Sequence, residues 1–266
     1  MRGILRMIPA SYGGSYNPLT AAWITATGES DVTILNGLNT FEAGLISNNF
    51  ISRLPIVYPI VGGTSAKHSL NFMNTATYQI TFQGGFVHNS NGWTGNGTNA
   101  IANTGANAIT VTPRDNNSYG FYSRTNSVQA ASDISAADTS FHGNEILTKF
   151  PDNNTYWPNS EYVLTGNGNL LTTTLGLISN VRTTANEKKL YQGSTLKSTS
   201  ATSTVINNNA IYYLSARGYD GVYPSAYFSS RNLSFIYFAN ISFSDAEITI
   251  FNNLVQALQT SLSRQV

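Results

Sequence analysis

From Leu233 to Leu262 the chain joins a strand that is apolar on both faces to a helix with a complete start signal, and this pairing constrains how the fold closes. Leu233, Phe235, Tyr237, Ala239, Ile241 and Phe243 alternate with Ser234, Ile236, Phe238, Asn240 and Ser242, the period of a strand with little exposed face. Ser244-Asp245-Ala246-Glu247 then reads as a capping box, with Phe243 and Ile248 placed as a hydrophobic staple. Ile248, Phe251, Leu254, Val255, Leu258 and Leu262 follow as one apolar stripe at helical spacing. Burying those side chains is worth roughly 9–18 kcal/mol gross at about 1.5–3 kcal/mol each, so the helix is expected to pack onto the body.

The rest of the chain is β-rich in composition. Only 10% of its 266 residues are charged against 41% hydrophobic, so Asn, Ser, Thr and Gly must cover the surface. A net charge of +1 with no cluster of Lys and Arg argues against electrostatic binding of nucleic acid or anionic membrane. No apolar run approaches a membrane span, and residues 1–10 hold too short an apolar stretch for a signal peptide, which predicts synthesis and folding in a cytoplasm. Cysteine is absent, which leaves stability to packing and excludes thiolate chemistry.

Residues 1–18 read as an extended arm ending in Tyr12-Gly13-Gly14-Ser15-Tyr16. Residues 19–55 form a helical segment: Asn17-Pro18 starts a helix through Leu19, Trp23 and Ala26, and Ser30-Asp31 starts a second that carries Ile34, Leu35, Leu38, Phe41 and Leu45 on one face. Gly37 and Gly44 weaken that second helix by roughly 1 kcal/mol each relative to Ala, so docking must stabilise it. From about Ile56 up to the C-terminal helix the period switches to two. Tyr78, Ile80 and Phe82 share one strand face, Leu175, Leu177 and Val181 another, and Ile211 and Tyr213 lie opposite Tyr212 and Leu214. Turns at Gly84-Gly85, Asp115-Asn116-Asn117, Asp152-Asn153-Asn154 and Asn207-Asn208-Asn209 separate these runs, the rhythm of a sandwich or jelly roll.

Lys188-Lys189-Leu190-Tyr191-Gln192-Gly193-Ser194-Thr195-Leu196, Ala210 to Ala216 and Ile241 to Ile248 resemble the closing third of concanavalin A-like (laminin-G-like) jelly-roll domains. Ile56-Val57-Tyr58-Pro59-Ile60-Val61-Gly62-Gly63-Thr64, His68-Ser69-Leu70-Asn71-Phe72, Phe82 to His88, Phe121-Tyr122-Ser123-Arg124-Thr125-Asn126 and the final twelve residues resemble virion proteins of tailed phages infecting Bacteroidetes, the crAss-like phages among them. The resemblance implies a mainly β, concanavalin A-like jelly-roll sandwich over residues 56–266, with two helices before it and the C-terminal helix closing it. It also implies a non-enzymatic virion structural protein such as a head fibre or capsid decoration, made in the host cytoplasm, oligomeric, and held to capsid or tail proteins. The arm's Arg2, Ile4, Leu5, Arg6, Met7 and Ile8 are the residues expected to attach it.

The alternative is a tail or fibre adhesin for a host surface glycan. Its candidate residues are Trp93, Tyr156, Trp157, Tyr219 and Tyr223, large rings among neutral turn residues that either stack on sugars or fold back as anchors, with anchoring of the rings favoured. A glycoside hydrolase is weaker: the thirteen acidic residues are scattered, chiefly in turns or helix starts such as Asp115, Asp152, Asp220 and Asp245, and no alternating acidic strand pattern occurs. The Gly95-Asn96-Gly97-Thr98-Asn99-Ala100 match to a dinucleotide fingerprint reads as a β-turn loop, and His142 and Glu145 read as surface residues. The three histidines look unclustered; no cofactor or metal site is expected, although a loop calcium stays open.

Overall fold

The computed structural model describes residues 15–138, 142–162, 167–201, 210–219 and 222–266. Two helices come first, α1 (Pro18–Thr27) and α2 (Val32–Ser47), followed by β1 (Ile56–Tyr58) and the short α3 (Ser65–His68). Then come β2 (Thr81–Gln83), β3 (Phe86–Asn89), β4 (Gly92–Gly95), β5 (Ile101–Asn107), α4 (Ala108–Val111), β6 (Asn117–Ser123), β7 (Ile134–Ala137), β8 (His142–Ile146) and β9 (Asn159–Tyr162). The long strands β10 (Gly176–Thr184), β11 (Glu187–Gln192) and β12 (Thr195–Ser200) precede β13 (Ile211–Leu214), β14 (Arg217–Tyr219), β15 (Val222–Ala226), β16 (Asn232–Ala239) and the closing helix α5 (Asp245–Ser261).

The strands form a two-sheet, mainly antiparallel β-sandwich. The first sheet runs β12-β11-β10-β6-β16-β4-β3, with β1 also on β16; the second runs β15-β14-β7-β13-β5-β2, with β8 on β7 and β9 on β8. Side chains of both sheets, among them Trp93, Tyr119, Phe121, Ile134, Ile146, Trp157, Ile178, Tyr212 and Phe238, fill the space between them. A second core lies on the other face of the first sheet, where Tyr122, Leu177, Val181, Phe235 and Tyr237 meet Trp23, Leu38, Phe41 and Leu45 of the N-terminal helices and Ile248, Phe251, Val255 and Leu258 of α5.

Strand β16 shows why its sequence is apolar throughout: Ile236 and Phe238 enter the core between the sheets, whereas Phe235, Tyr237 and Ala239 face the helices. The expected alternation breaks at one point. A register shift between Leu233 and Phe235 puts Leu233 into the inter-sheet core with the even-numbered residues, and the buried Ser234 at the bulge binds Gln259 of α5. The strand also ends at Ala239, leaving Ile241 42% exposed. Tyr78 does not share a strand with Ile80 and Phe82, because Tyr78 turns the chain at φ 53° and β2 begins only at Thr81.

The helix signals hold in position and differ in partner. Ser244 accepts from the Glu247 amide, the Glu247 carboxylate returns to the Ser244 amide, and Phe243 and Ile248 are both buried. Asp31 caps α2 as its position predicts. Asn17 precedes α1 as expected, but its side chain donates to the Asn39 carbonyl instead of capping; Glu42 of α2 accepts the Leu19 and Thr20 amides, each at 2.8 Å. A buried carboxylate on one helix thus satisfies the orphan donors of another.

Gly37 and Gly44 turn out to be contact points. A Cβ on Gly44 would stand 2.3 Å from Leu254 Cδ2, and one on Gly37 would stand 2.7 Å from Ser261 Oγ. Glycine costs α2 intrinsic stability and in return lets α5 approach its backbone. Gly44→Ala should therefore destabilise the protein by about 1–3 kcal/mol, although helix propensity alone predicts a gain of about 1 kcal/mol. Chemical denaturation of Gly44→Ala, Leu254→Ala and the double variant checks this: adding Leu254→Ala should recover much of the clash energy, giving a non-additive cycle.

Arg53 ties the two helical regions together, pairing with Glu247 and donating to the Ser242 carbonyl. The Arg53 hydrogen bond, opposed by burial and helped by the Ser244 amide and hydroxyl, holds the Glu247 carboxyl at about 2, below its usual 4.5. A depressed folded-state value stabilises the fold above the unfolded-state value and loses that contribution as the pH falls from about 4.5 to about 2. Glu247→Gln should flatten the acid limb of stability in that window relative to the wild type, as read by melting temperature against pH.

Candidate functional site

Period-two alternation separates two adjacent rings. Leu147 and Tyr156 pair across the β8–β9 hairpin, and Trp157 lies in the inter-sheet core with Ile146. Trp157 is fully buried. Its carbonyl accepts from Asn180 Nδ2 at 3.0 Å, and the Lys188 ammonium lies 4.2 Å from the ring centroid. The next carbonyl, of Pro158, accepts from the Tyr119 hydroxyl at 2.7 Å and the Glu145 amide at 3.0 Å. Below it Arg182 and Lys188 converge on Glu161, all three buried. Burial pulls the Lys188 ammonium below its ordinary range, against the opposing attraction of Glu161. This segment is clamped from beneath, which is the anchoring role for Trp157 and not a sugar-stacking one.

Tyr156 belongs to the other face. The intervening turn closes by Asn153 donating to the Phe150 carbonyl and Phe150 donating to the Asn154 carbonyl, each at 3.0 Å, with Asn153 at φ 64°. Asparagine tolerates that left-handed conformation better than most residues. Across the turn the Tyr156 hydroxyl donates to Asp152 Oδ2. That bond lowers the Asp152 carboxyl and pushes the Tyr156 hydroxyl up to about 12.

The Phe150 ring meets Tyr156 edge-on at 5.4 Å and Tyr227 at 5.7 Å. Tyr227 in turn covers the Arg217 guanidinium at 4.4 Å, and Arg217 is held by Glu145 with Nε–Oε1 of 2.9 Å and Nη2–Oε2 of 2.7 Å. Glu145 stands opposite Ser135 while its neighbour Ile146 stands opposite Ile134 of the inter-sheet core, so this pair lies on the outward side of the second sheet. Leu147, Phe150, Tyr156, Arg217 and Tyr227 enclose a shallow recess of about 60 Å³ there. Phe150, Tyr156 and Tyr227 are each half-buried, with exposed Asp152 and Asn153 on the adjoining turn. Half-exposed rings beside a carboxylate and amides can stack on an apolar face and bind hydroxyl groups, without any nucleophile or base.

Of the other expected ring residues, Trp93 is fully buried among Phe82, Phe86, His68 and His88, and its Nε1 donates to Ser215 at 3.3 Å. It is a core residue because β4 sits inside the first sheet between β16 and β3. Tyr219 falls on β14 and Tyr223 on β15, but their side chains lie outside the described residues, as do Arg2, Ile4, Leu5, Arg6, Met7, Ile8 and Asp220. Phe150 and Arg217 were not singled out by sequence; the pairing of β8 with β7 and of β14 with β15 brings them to the recess.

Several polar residues occupy unexpected positions. Glu145 is fully buried, and Asp133 is fully buried against Arg231 at 2.8 Å, where solvated turn carboxylates were expected. Alternation in β8 gave no warning, because its cationic partner is some seventy positions away in sequence. The histidines are not all apart: His68 Nδ1 and His88 Nδ1 are 2.9 Å from each other. Burial, then His88 and Arg264, drives the His68 imidazole down to about 3. Arg124 acts as a hydrogen-bond donor, from Nε to the Arg264 carbonyl at 2.7 Å. Asn96 Oδ1 gathers the Thr98, Asn99 and Ala100 amides, so the glycine-rich segment is a side-chain-closed turn. Among the described residues no group of three or more His, Cys, Asp or Glu converges as a metal site.

No protein-family model matches the chain, and no curated protein matches it. Solved structures do. Domain 4 of AbnA, an extracellular arabinanase from Geobacillus stearothermophilus in complex with arabinotriose, aligns with a TM-score of 0.53 at 11% identity over 75% of this chain and 98% of that one. A botulinum neurotoxin type C structure, described by its interaction with two ganglioside molecules, aligns with a TM-score of 0.53 at 12% identity, over 79% of this chain and 53% of that one. A Trypanosoma rangeli sialidase mutant displaying trans-sialidase activity aligns with a TM-score of 0.53 at 8% identity, over 83% and 39%. The chain thus spans about half the length of the neurotoxin chain. These likenesses are of fold, the β-sandwich.

Trp157→Ala should remove about 3–5 kcal/mol of stability, since the ring is sealed between the sheets. Equilibrium denaturation checks it; a loss below about 0.5 kcal/mol would mark Trp157 as a surface residue.

Proposed function

We propose that this protein is a non-enzymatic virion component of a tailed phage that displays a glycan-binding β-sandwich. The observation that carries the binding part is the recess itself: Tyr156 and Tyr227 flank Phe150 with their rings half-exposed, and the residue after Tyr156 is buried and clamped. Rings held still lose little entropy when a sugar stacks on them, and the neighbouring carboxylate and amides offer acceptors and donors for its hydroxyl groups. The sandwich likeness to an arabinanase domain bound to arabinotriose and to a ganglioside-interacting neurotoxin supports this reading at the level of fold.

The non-enzymatic part rests on the carboxylates. Asp133, Glu145 and Glu161 are buried and each is paired with Arg or Lys, so none is placed as the general acid or nucleophile of a glycosidase. The virion setting rests on the sequence resemblance, with attachment by residues 1–18 to capsid or tail proteins and presentation as a homo-oligomer.

A glycan microarray probed with the wild type, Tyr156→Ala and Tyr227→Ala tests the binding reading. The wild type should retain a defined set of oligosaccharides, and each variant should lose it by at least tenfold while melting within a few degrees of the wild type. Stacking on one ring is worth about 0.5–1.5 kcal/mol beyond its burial, which together with lost contact area accounts for that factor.

A further inference from the structure

We infer that the recess selects neutral glycans and discriminates against those carrying a carboxylate. This inference rests on the reading of the recess as a glycan site and concerns the class of sugar it takes.

The charges around the recess decide it. Arg217 is the cation in its lining, and its charge is spent: Glu145 takes the guanidinium with two oxygens, the pair is 3% and 0% exposed, and the Tyr227 ring lies over it. A ligand carboxylate reaching Arg217 would have to displace Glu145, leaving a carboxylate buried without its partner. Lys149, at the foot of the same hairpin, directs its ammonium to the Thr172 carbonyl at 3.1 Å. Asp152 is the exposed charge at the rim, with one oxygen accepting from Tyr156 and the other from the Asn154 amide. Those hydrogen bonds favour its ionised form. The rim therefore presents negative charge and hydrogen-bond acceptors. It suits the hydroxyl donors of a neutral hexose or pentose, whose apolar ring face the tyrosines can stack on. A sialic or uronic acid would bring its carboxylate toward Asp152, while the cation in the lining, Arg217, is already held by Glu145.

The test compares matched pairs, lactose with 3′-sialyllactose and neutral with uronic-acid-bearing oligosaccharides, at equal density on one array and then by titration calorimetry. The neutral member of each bound pair should bind at least roughly fivefold more tightly, the factor expected when like charges meet at a solvated surface. Asp152→Asn, which replaces one acceptor oxygen with a donor, should weaken neutral binding and still bring the ratio toward one. Equal or tighter binding of the acidic member, abolished by Tyr156→Ala or Tyr227→Ala, would overturn the selectivity while leaving the glycan site in place. Glycan binding untouched by those two variants, or no binding of any glycan, would overturn both the selectivity and the recess assignment. Thermal melting of each variant confirms that the compared proteins are folded.

Discussion

A strand without a polar face needs cover on both sides, and β16 imposes that requirement on the whole molecule. Ile236 and Phe238 demand a second sheet, while Phe235 and Tyr237 demand a helical layer. Phe251 of α5 answers the second demand, its ring packed against Phe41, Phe50, Phe235, Tyr237 and Phe243. The N-terminal helices complete that layer, and the glycines of α2 set how closely α5 can lie. Arg264, just beyond α5, then locks the chain end by donating to the carbonyls of Pro59, Ile60 and Ser234. Helices from the two ends of the sequence are thereby fastened to the same sheet.

The second sheet is stabilised differently. Buried ion pairs hold it: Glu145 with Arg217 within the sheet, and Glu161 with Arg182 and Lys188, and Asp133 with Arg231, across to the first sheet. Desolvating such charges is costly, and removing either partner costs more than the pair contributes, so their main consequence is geometric. Each pair fastens one strand, or the residue flanking it, to another. Asn117, Asn159 and Asn180 extend the effect with side-chain hydrogen bonds between β6, β9 and β10. The result is a densely hydrogen-bonded base beneath the β8–β9 hairpin that carries Phe150 and Tyr156 of the recess.

The recess and the helical layer lie on opposite sheets. A chain with so few charges covers its exterior with Asn, Ser and Thr, groups that hydrogen-bond hydroxyls without fixing a charge preference. At the recess the cation is neutralised internally by Glu145 and a carboxylate, Asp152, is left at the rim.

Local signals in the sequence determined a good deal. The capping box at Ser244, the stripe of α5, the Asp31 cap, the turn at Asp152 and the opposite faces of Tyr212 and Tyr213 were all legible, because each depends on residues within a turn or two of one another. Tyr156 and Trp157 read in the sequence as adjacent rings of one polar loop, with nothing local to say that they face opposite ways or which of them faces inward. Tertiary structure decided that, by placing Asn180, Lys188 and Tyr119 around the Trp157 side. It likewise decided that Gly37 and Gly44 are contact points, that Leu233 changes face at a bulge, that Trp93 is core, and that Glu145 is buried. In each case the deciding partner is distant in the chain, and a sequence pattern carries the spacing of neighbours but no record of what the fold brings against them.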